Sequence, residues 1–302
     1  MTSPSIQYVQ APGARIAFRT FGRHDAPPLI MAHGMQDVGA TLDPVAEHLA
    51  ETFCVHVLDM RGHGHSDQPG LYALSHFVYD MVVLLDHLGL EKAAFWGHSL
   101  GGQVLTRFAA MFPARISTLV AAEALGPPYF EARYKSELGL AGEGKRLAQI
   151  MKTRPRALPS KEFAAERLLA NNPRLSESQA EWITTVATRE LENGELHWAF
   201  DMRVRMVFAG AEDSYRFWPN VLCPTLLVFG AHAHEYWAKV VAPQGGWDGK
   251  FATGELDARV NTFPNARAIV LNHSGHMVHH DEPDRLAAES LSFLKETVTV
   301  NV

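Results

Sequence analysis

The chain has 302 residues, 47% of them hydrophobic, and a net charge of −6. That length and apolar content can bury one full core, alone or with an inserted lobe. The acidic balance, with no basic patch, argues against a nucleic-acid partner. The N-terminus, MTSPSIQYVQ, has neither the basic nor the apolar segment of a signal peptide. No apolar run approaches the roughly 20 residues of a membrane span. Cys54 and Cys223 lie in or beside apolar strand-like runs and read as free thiols of a reducing compartment. The expectation is a cytoplasmic protein with no membrane partner.

The first half alternates strand and helix signals. RIAFRTFG (15–22) alternates apolar and polar residues like a half-buried strand. PLIMAHG (28–34) is a continuous apolar run stopped by glycine, as in a buried parallel strand. Asp43-Pro44 opens a short helix, with Asp as cap and Pro at the first helical position. FCVHVLD (53–59) is a strand. Ser75 caps a helix with Val78, Val82, Leu85 and Leu88 on one face, and Gly89 ends it. KAAFWG (92–97) and ISTLVAAE (116–123) are strands flanking a helix that stops before Pro113. Strands alternating with helices predict right-handed crossovers and a parallel sheet.

From Gly126 to Pro219 the strand runs vanish and helical signals take over, at 143–152, at 160–170 after Ser160, and at 176–191 behind a capping-box pattern. Strands resume with PTLLVFG (224–230) and ARAIVLN (266–272), and a helix closes the chain at 283–295. The reading is one α/β domain, 1–126 and 220–302, with a helical lobe inserted at 127–219. Segment 242–256 is long for a connection and predicts a rim loop.

Ser99 stands in Gly97-His98-Ser99-Leu100-Gly101, after a strand and opening a helix. A sharp strand-to-helix turn holds the serine in a strained conformation, lifts its hydroxyl above the sheet and frees the Leu100 N–H, and small neighbours let the chain pass close by. A nucleophilic serine needs a base, usually histidine. Of 16 histidines, His276 is best placed, following strand and glycine in VLNHSGHMVHHDEP (270–283) and preceding the last helix. His273, His279 and His280 compete by composition, but His279-His280-Asp281 reads as a solvated surface or a cap for the last helix. The second donor of an oxyanion hole fits Met35 N–H, just past His33-Gly34 at another strand end.

His33-Gly34, DMRGHGHS (59–66), GHSLGG (97–102) and GHMVHHDEP (275–283), in that order over nearly the whole chain, resemble the α/β-hydrolase superfamily. The resemblance implies an α/β-hydrolase fold: a mostly parallel sheet flanked by helices, with a helical cap in the lobe. It also implies that Asp59-Arg61-Gly62-His63-Gly64-Ser66 is a structural loop. A metal site on His63, His65, His232 and His234 finds no supporting cysteine or carboxylate spacing, so neither metal nor cofactor is expected.

The base needs a carboxylate. Where the family's acid usually stands, three residues past Gly230, this chain has Ala233. Glu235 could serve instead, the triad could be a dyad, or the acid could come from Glu123 at the tip of the strand after the nucleophile helix. Glu123 leaves an apolar run, where a charge needs a partner. Its position resembles the acid of zearalenone-type lactonases, macrolide esterases and one haloalkane dehalogenase group. The reading adopted is Ser99–His276–Glu123, with Glu235 second.

Serine at the elbow, where haloalkane dehalogenases and epoxide hydrolases carry Asp, points to acyl transfer through an acyl-enzyme on a small-molecule ester or lactone, bulky or macrocyclic. Hydrolysis of a carbon–carbon bond in a vinylogous diketone, or a low-turnover receptor, are the alternatives. NGELHWAFDMRVR (193–205) resembles the stretch returning from a cap. His33, Gly34, His98, Trp198, Phe200 and Trp218 are the expected substrate contacts.

Overall fold

The apolar runs become strands β1 (Gln7–Ala11), β2 (Ala14–Phe21), β3 (Pro28–Ala32), β4 (Cys54–Asp59), β5 (Ala93–His98) and β6 (Ile116–Ala122). Between them run helices α1 (Asp43–Leu49), α2 (Leu74–His87) and α3 (Leu100–Met111). The structure, a computed structural model, describes residues 4–129, 140–208, 214–242 and 245–298. Residues 130–139 and 209–213 of the expected lobe, and 243–244 of the expected rim loop, lie outside the described residues.

Two helix starts differ from the sequence reading. Asp43 is already helical behind Leu42 rather than the cap. Its carboxylate instead accepts two bonds from Arg19, both at 2.6 Å. Helix α2 begins at Leu74 behind Ala73, with no side-chain cap, so Ser75 sits inside the first turn.

After β6 come α4 (Leu140–Met151), α5 (Lys161–Asn171) and α6 (Glu177–Ala187). Ser160 caps α5 by accepting from Phe163 N–H at 3.2 Å, and Ser176 and Gln179 form the expected capping box on α6. The lobe is not wholly helical. Thr188–Glu190 leaves α6 extended as β7 and pairs antiparallel with β8 (Leu196–Trp198). The β-branched Thr188 and the Asn193-Gly194 turn, with Gly194 at φ +81°, suit a hairpin. The chain returns through α7 (Ser214–Phe217), β9 (Thr225–Gly230), α8 (His234–Val241), α9 (Glu255–Val260), β10 (Ala266–Leu271), α10 (Val278–Asp281) and α11 (Pro283–Val298).

The eight-stranded sheet has the order β1-β2-β4-β3-β5-β6-β9-β10. The β1–β2 and β2–β4 pairs are antiparallel, and every pair from β4 to β10 is parallel. Period-2 alternation divides the core. Phe95 of β5 faces a layer holding Phe77, Leu84, Val104 and Phe108 from α2 and α3. Its neighbours Ala94 and Trp96 face Leu49, Leu286, Phe293 and Leu294 from α1 and α11. A smaller cluster joins Leu175, Ile183 and Ala187 of the lobe to Val38 beside the β3 exit, so the lobe docks over that end of the sheet. Cys54 and Cys223 are free. Among the described residues no helix is long and apolar enough to cross a membrane.

Candidate active site

Strand register decides which loops meet. His98 pairs with Ala122, Ala122 with Val228, and Gly230 with Leu271. Residues just past β5, β6, β9 and β10 therefore emerge side by side at the sheet's carboxyl edge, where open α/β sheets build their sites. Three described non-glycine residues have positive φ, and all lie at this edge: Gln36 (+60°), Ser99 (+48°) and Glu123 (+51°). Such conformations cost about 1–3 kcal/mol each and persist only where the surroundings over-determine them.

The elbow shows how this is enforced. Ser99 N–H donates to Ala122 O at 2.8 Å, and Glu123 N–H donates to Val228 O at 2.8 Å. Each turn is thus fastened to the next strand. A Cβ on Gly97 would lie 2.6 Å from Gly102 N, and one on Gly101 would strike the Ala32 carbonyl. The glycines let α3 start directly against β3 and β5.

His276, carried past β10, lies between Ser99 and Glu123. Its Nε2 is 3.0 Å from Ser99 Oγ, and its Nδ1 is 3.0 Å from Glu123 Oε2. The other carboxylate oxygen, Oε1, accepts Gly230 N–H at 2.7 Å. Ser99, Glu123 and His276 are 9%, 4% and 4% exposed. Burial pushes the Glu123 carboxyl up to about 8, opposed by the Gly230 N–H, and pushes the His276 imidazole down to about 3. Both shifts express one preference, for a pair with no net charge.

Glu235, the second candidate acid, lies elsewhere. It opens α8 with its side chain 41% exposed and forms a two-pronged pair with Arg174 at 2.9 and 3.0 Å. Arg174 holds its carboxyl below the ordinary glutamate range.

Around the serine, the Leu100 and Met35 N–H groups make no hydrogen bond to any described residue. A Cβ on Gly34 would sit 3.5 Å from Ser99 Cβ and 2.8 Å from His98 Nδ1, so the backbone before Met35 runs against the serine. His33 is a structural peg rather than a substrate contact. It is fully buried, its Nδ1 lies 2.6 Å from Gly34 O, and its Nε2 accepts Met60 N–H at 3.0 Å. His98 is likewise engaged behind the site, with Nε2 2.8 Å from the His276 carbonyl.

Phe200 bridges to His63 and stacks on Trp198 with centroids 5.8 Å apart. Trp198 also packs on the lobe's own core. Trp218 is a core residue: it is 1% exposed and stacked on Phe263 in the layer under α3, because the returning chain enters the α/β core before β9. The 59–66 loop is held from within. Asp59 accepts Gly39 N–H at 2.7 Å and His65 N–H at 2.9 Å, and Arg61 pairs with buried Asp80.

Three contributions escaped the sequence reading, and one expectation is reversed. Tyr236 stacks face to face on His276, with centroids 4.0 Å apart and planes 5° apart, and Trp237 meets the same ring edge-on at 4.9 Å. Met202 Sδ lies 3.0 Å from Gln36 Nε2, beside the Met35 turn. His279 and His280 are buried rather than solvated. The paired aromatics immediately after the vacant Ala233 were the available signal for the first two.

Comparison with known proteins places this geometry in a family. The family model described as alpha/beta hydrolase fold matches residues 27–283. Serine hydrolase-like protein 2 of Homo sapiens is 27% identical over 300 residues, covering 95% of this chain and 92% of that protein. Esterase YbfF of Escherichia coli is 24% identical over 275 residues, covering 91% and 95%. An uncharacterized protein of Mycobacterium tuberculosis is 36% identical over 124 residues, a match spanning 41% of this chain and 36% of that protein. Among solved structures, the thioesterase domain from the curacin biosynthetic pathway superposes with a TM-score of 0.77 at 21% identity, covering 96% of this chain and 100% of that one. The family model spans most of the chain, and the chain belongs to the α/β-hydrolase superfamily.

Proposed function

We propose that the protein is a serine hydrolase of carboxylic esters or lactones, working through an acyl-enzyme on Ser99. The observation that carries this reading is the unbroken chain from Ser99 Oγ through His276 to Glu123, 3.0 Å at each step, with two unpaired N–H groups on the Met35 and Leu100 backbone beside it. The esterase and serine hydrolase names of the relatives agree with it.

In this reading Ser99 Oγ attacks the substrate carbonyl carbon as its proton passes to His276 Nε2. Negative charge gathers on the carbonyl oxygen, where Leu100 and Met35 N–H can donate, at the positive end of α3. Glu123 accepts from Nδ1–H, so that Nε2 keeps its lone pair, and stabilises the imidazolium once formed. His276 returns the proton to the leaving oxygen, which departs as an alcohol or, from a lactone, stays tethered at the far end of the acyl chain. Water then attacks the acyl-Ser99 carbonyl, giving its proton to Nε2, and Ser99 is released with the acid product.

The substrate wall is assigned to Phe200, Trp198 and Met202, and the inserted lobe, 127–219, to the cap. The test is covalent labelling by a fluorophosphonate, followed by a panel from short nitrophenyl esters to macrolactones and a vinylogous diketone. Labelling confined to Ser99 with turnover of esters or lactones is the expected result. Folded protein that takes no label, as a receptor would, overturns the reading. Turnover of the diketone alone would move the assignment to carbon–carbon bond hydrolysis.

A further inference from the structure

A second group of titratable side chains lies beside the triad, and acyl transfer uses none of it. Helix α10 turns His279 and His280 inward, 1% and 5% exposed, and the chain past β3 brings in Asp37, 4% exposed. His279 Nε2 lies 3.2 Å from Asp37 Oδ2, and the two imidazole centroids are 4.0 Å apart. One ligand-capable atom from each of the three residues falls within 4.8 Å of the others.

The hydrogen bonds in this cluster do not close. Asp37 Oδ1 accepts Val38 N–H at 2.9 Å and the Thr41 hydroxyl at 2.7 Å, which fixes the carboxylate, while Oδ2 meets only His279. His280 has neither ring nitrogen partnered, and His279 Nδ1 is also alone, all of them buried. Buried polar atoms in folded proteins nearly always have a partner. An ion held by His279 Nε2, Asp37 Oδ2 and one nitrogen of His280 would give a buried, partnerless ring the electron-pair acceptor it lacks.

Two imidazoles and one carboxylate suit first-row divalent ions and are poorly suited to the hard, oxygen-seeking Mg²⁺ and Ca²⁺. Ligands at about 2.0–2.1 Å from a tetrahedral ion stand about 3.3 Å apart. The pair His279 Nε2 and Asp37 Oδ2, 3.2 Å apart, has that spacing, and the His280 nitrogen, within 4.8 Å of both, would close in on the ion. We propose that Asp37, His279 and His280 form a binding site for one divalent transition ion of the zinc type. The sequence reading expected none, having weighed only His63, His65, His232 and His234; Asp37 and His279 stand 242 residues apart.

The position gives the site a purpose. It ties α10, which follows His276, to the chain that follows Met35. His98 lies between the two centres, its ring 4.4 Å from His279 and 5.2 Å from His276, with Nε2 on the His276 carbonyl. An ion here would brace the base's loop against the oxyanion turn from behind, out of reach of the serine.

The test reads metal rather than activity. The full chain is produced in zinc-supplemented medium, desalted, and its zinc measured by plasma emission. About one equivalent per chain is expected, with at least an about tenfold loss in His280→Gln. That ring has no hydrogen-bond partner to forfeit, so the variant should fold. His232→Gln, a half-exposed histidine, should keep the wild-type content. Chelation should lower the Tm of the wild type and leave that of His280→Gln unmoved. Wild-type protein without zinc, or zinc retained in full by His280→Gln, overturns the site. If His280→Gln does not fold, refolding the wild type with one equivalent of Co²⁺ decides: visible d–d absorption of a four-coordinate nitrogen–oxygen site is expected, and its absence refutes the proposal.

Discussion

The ends of β6 and β9 are neighbours on one sheet edge, paired through Ala122 and Val228, yet they contribute opposite things. The β6 end supplies a side chain, Glu123, in a left-handed conformation and almost wholly buried. The β9 end supplies backbone and rings: Gly230 N–H on the Glu123 carboxylate, then Tyr236 and Trp237 against His276. In the proposed triad the carboxylate comes from the β6 end, where the imidazole reaches one of its oxygens and a backbone donor from β9 satisfies the other. The chain past β9 packs Tyr236 on one face of the imidazole and Trp237 against it edge-on.

The largest effect should come where both ends converge. Ser99→Ala should lower kcat by about 10⁵–10⁶-fold on any ester the enzyme turns over, since nucleophile and base act as one unit. Fluorophosphonate labelling should vanish with it. Next is Glu123→Gln, which keeps the shape but removes the charge that holds the imidazole tautomer. A fall of about 10²–10⁴-fold in kcat is expected, measured under single-turnover conditions. Near-wild-type turnover in this variant would dissolve the contrast between the two strand ends.

The pH profile probes the same carboxylate. In the proposed mechanism the active form has neutral His276 with its proton on Nδ1 and a charged Glu123, one proton fewer than the uncharged pair that burial favours. Releasing that proton leaves a net negative charge in a buried place. The apparent pKa for activation should therefore lie above the ordinary histidine value of about 6.5. kcat/KM should rise with pH, lose about tenfold per unit below its midpoint, and reach its plateau on the alkaline side. A plateau already complete at pH 6 would refute it.

The β9 side should respond more gently. The stacked ring of Tyr236 both positions His276 and helps to bury it, which opposes its charged form. Tyr236→Ala should lower kcat about 2–10-fold and move the pH midpoint, while Tyr236→Phe, which keeps the stack, should remain near wild type in both. Equal losses in the two variants would place the effect in the hydroxyl.

What was legible in the sequence follows from how local each signal is. β3, β5 and β6 announced themselves as apolar runs ended by Gly34, Gly97 and Glu123, and strand, turn and helix in GHSLGG located Ser99. The β7–β8 hairpin was not legible, because three-residue strands carry too little periodicity beside the long α6 signal. Trp218 was assigned to the lobe because sequence position cannot report that the chain has already re-entered the core. Tyr236 on His276, and Asp37 beside His279, join residues distant in the chain, and only the sheet order brings them together.

The smallest expected effect tests most sharply the division of labour between the two strand ends. Glu235 stands two residues past Ala233, in the first turn of α8, on the segment that would carry the acid if β9 supplied one. Its carboxylate is bound to Arg174 and open to solvent, and an exposed pair of this kind contributes at most about 1 kcal/mol. Glu235→Gln should therefore shift Tm slightly and leave kcat/KM within about twofold of wild type. The double variant Glu123→Gln/Glu235→Gln should be no slower than Glu123→Gln alone, since a residue outside the relay has nothing further to remove. A further drop of tenfold or more in the double variant would mean that Glu235 swings in to take over the imidazole, and the two strand ends would then share the acid between them.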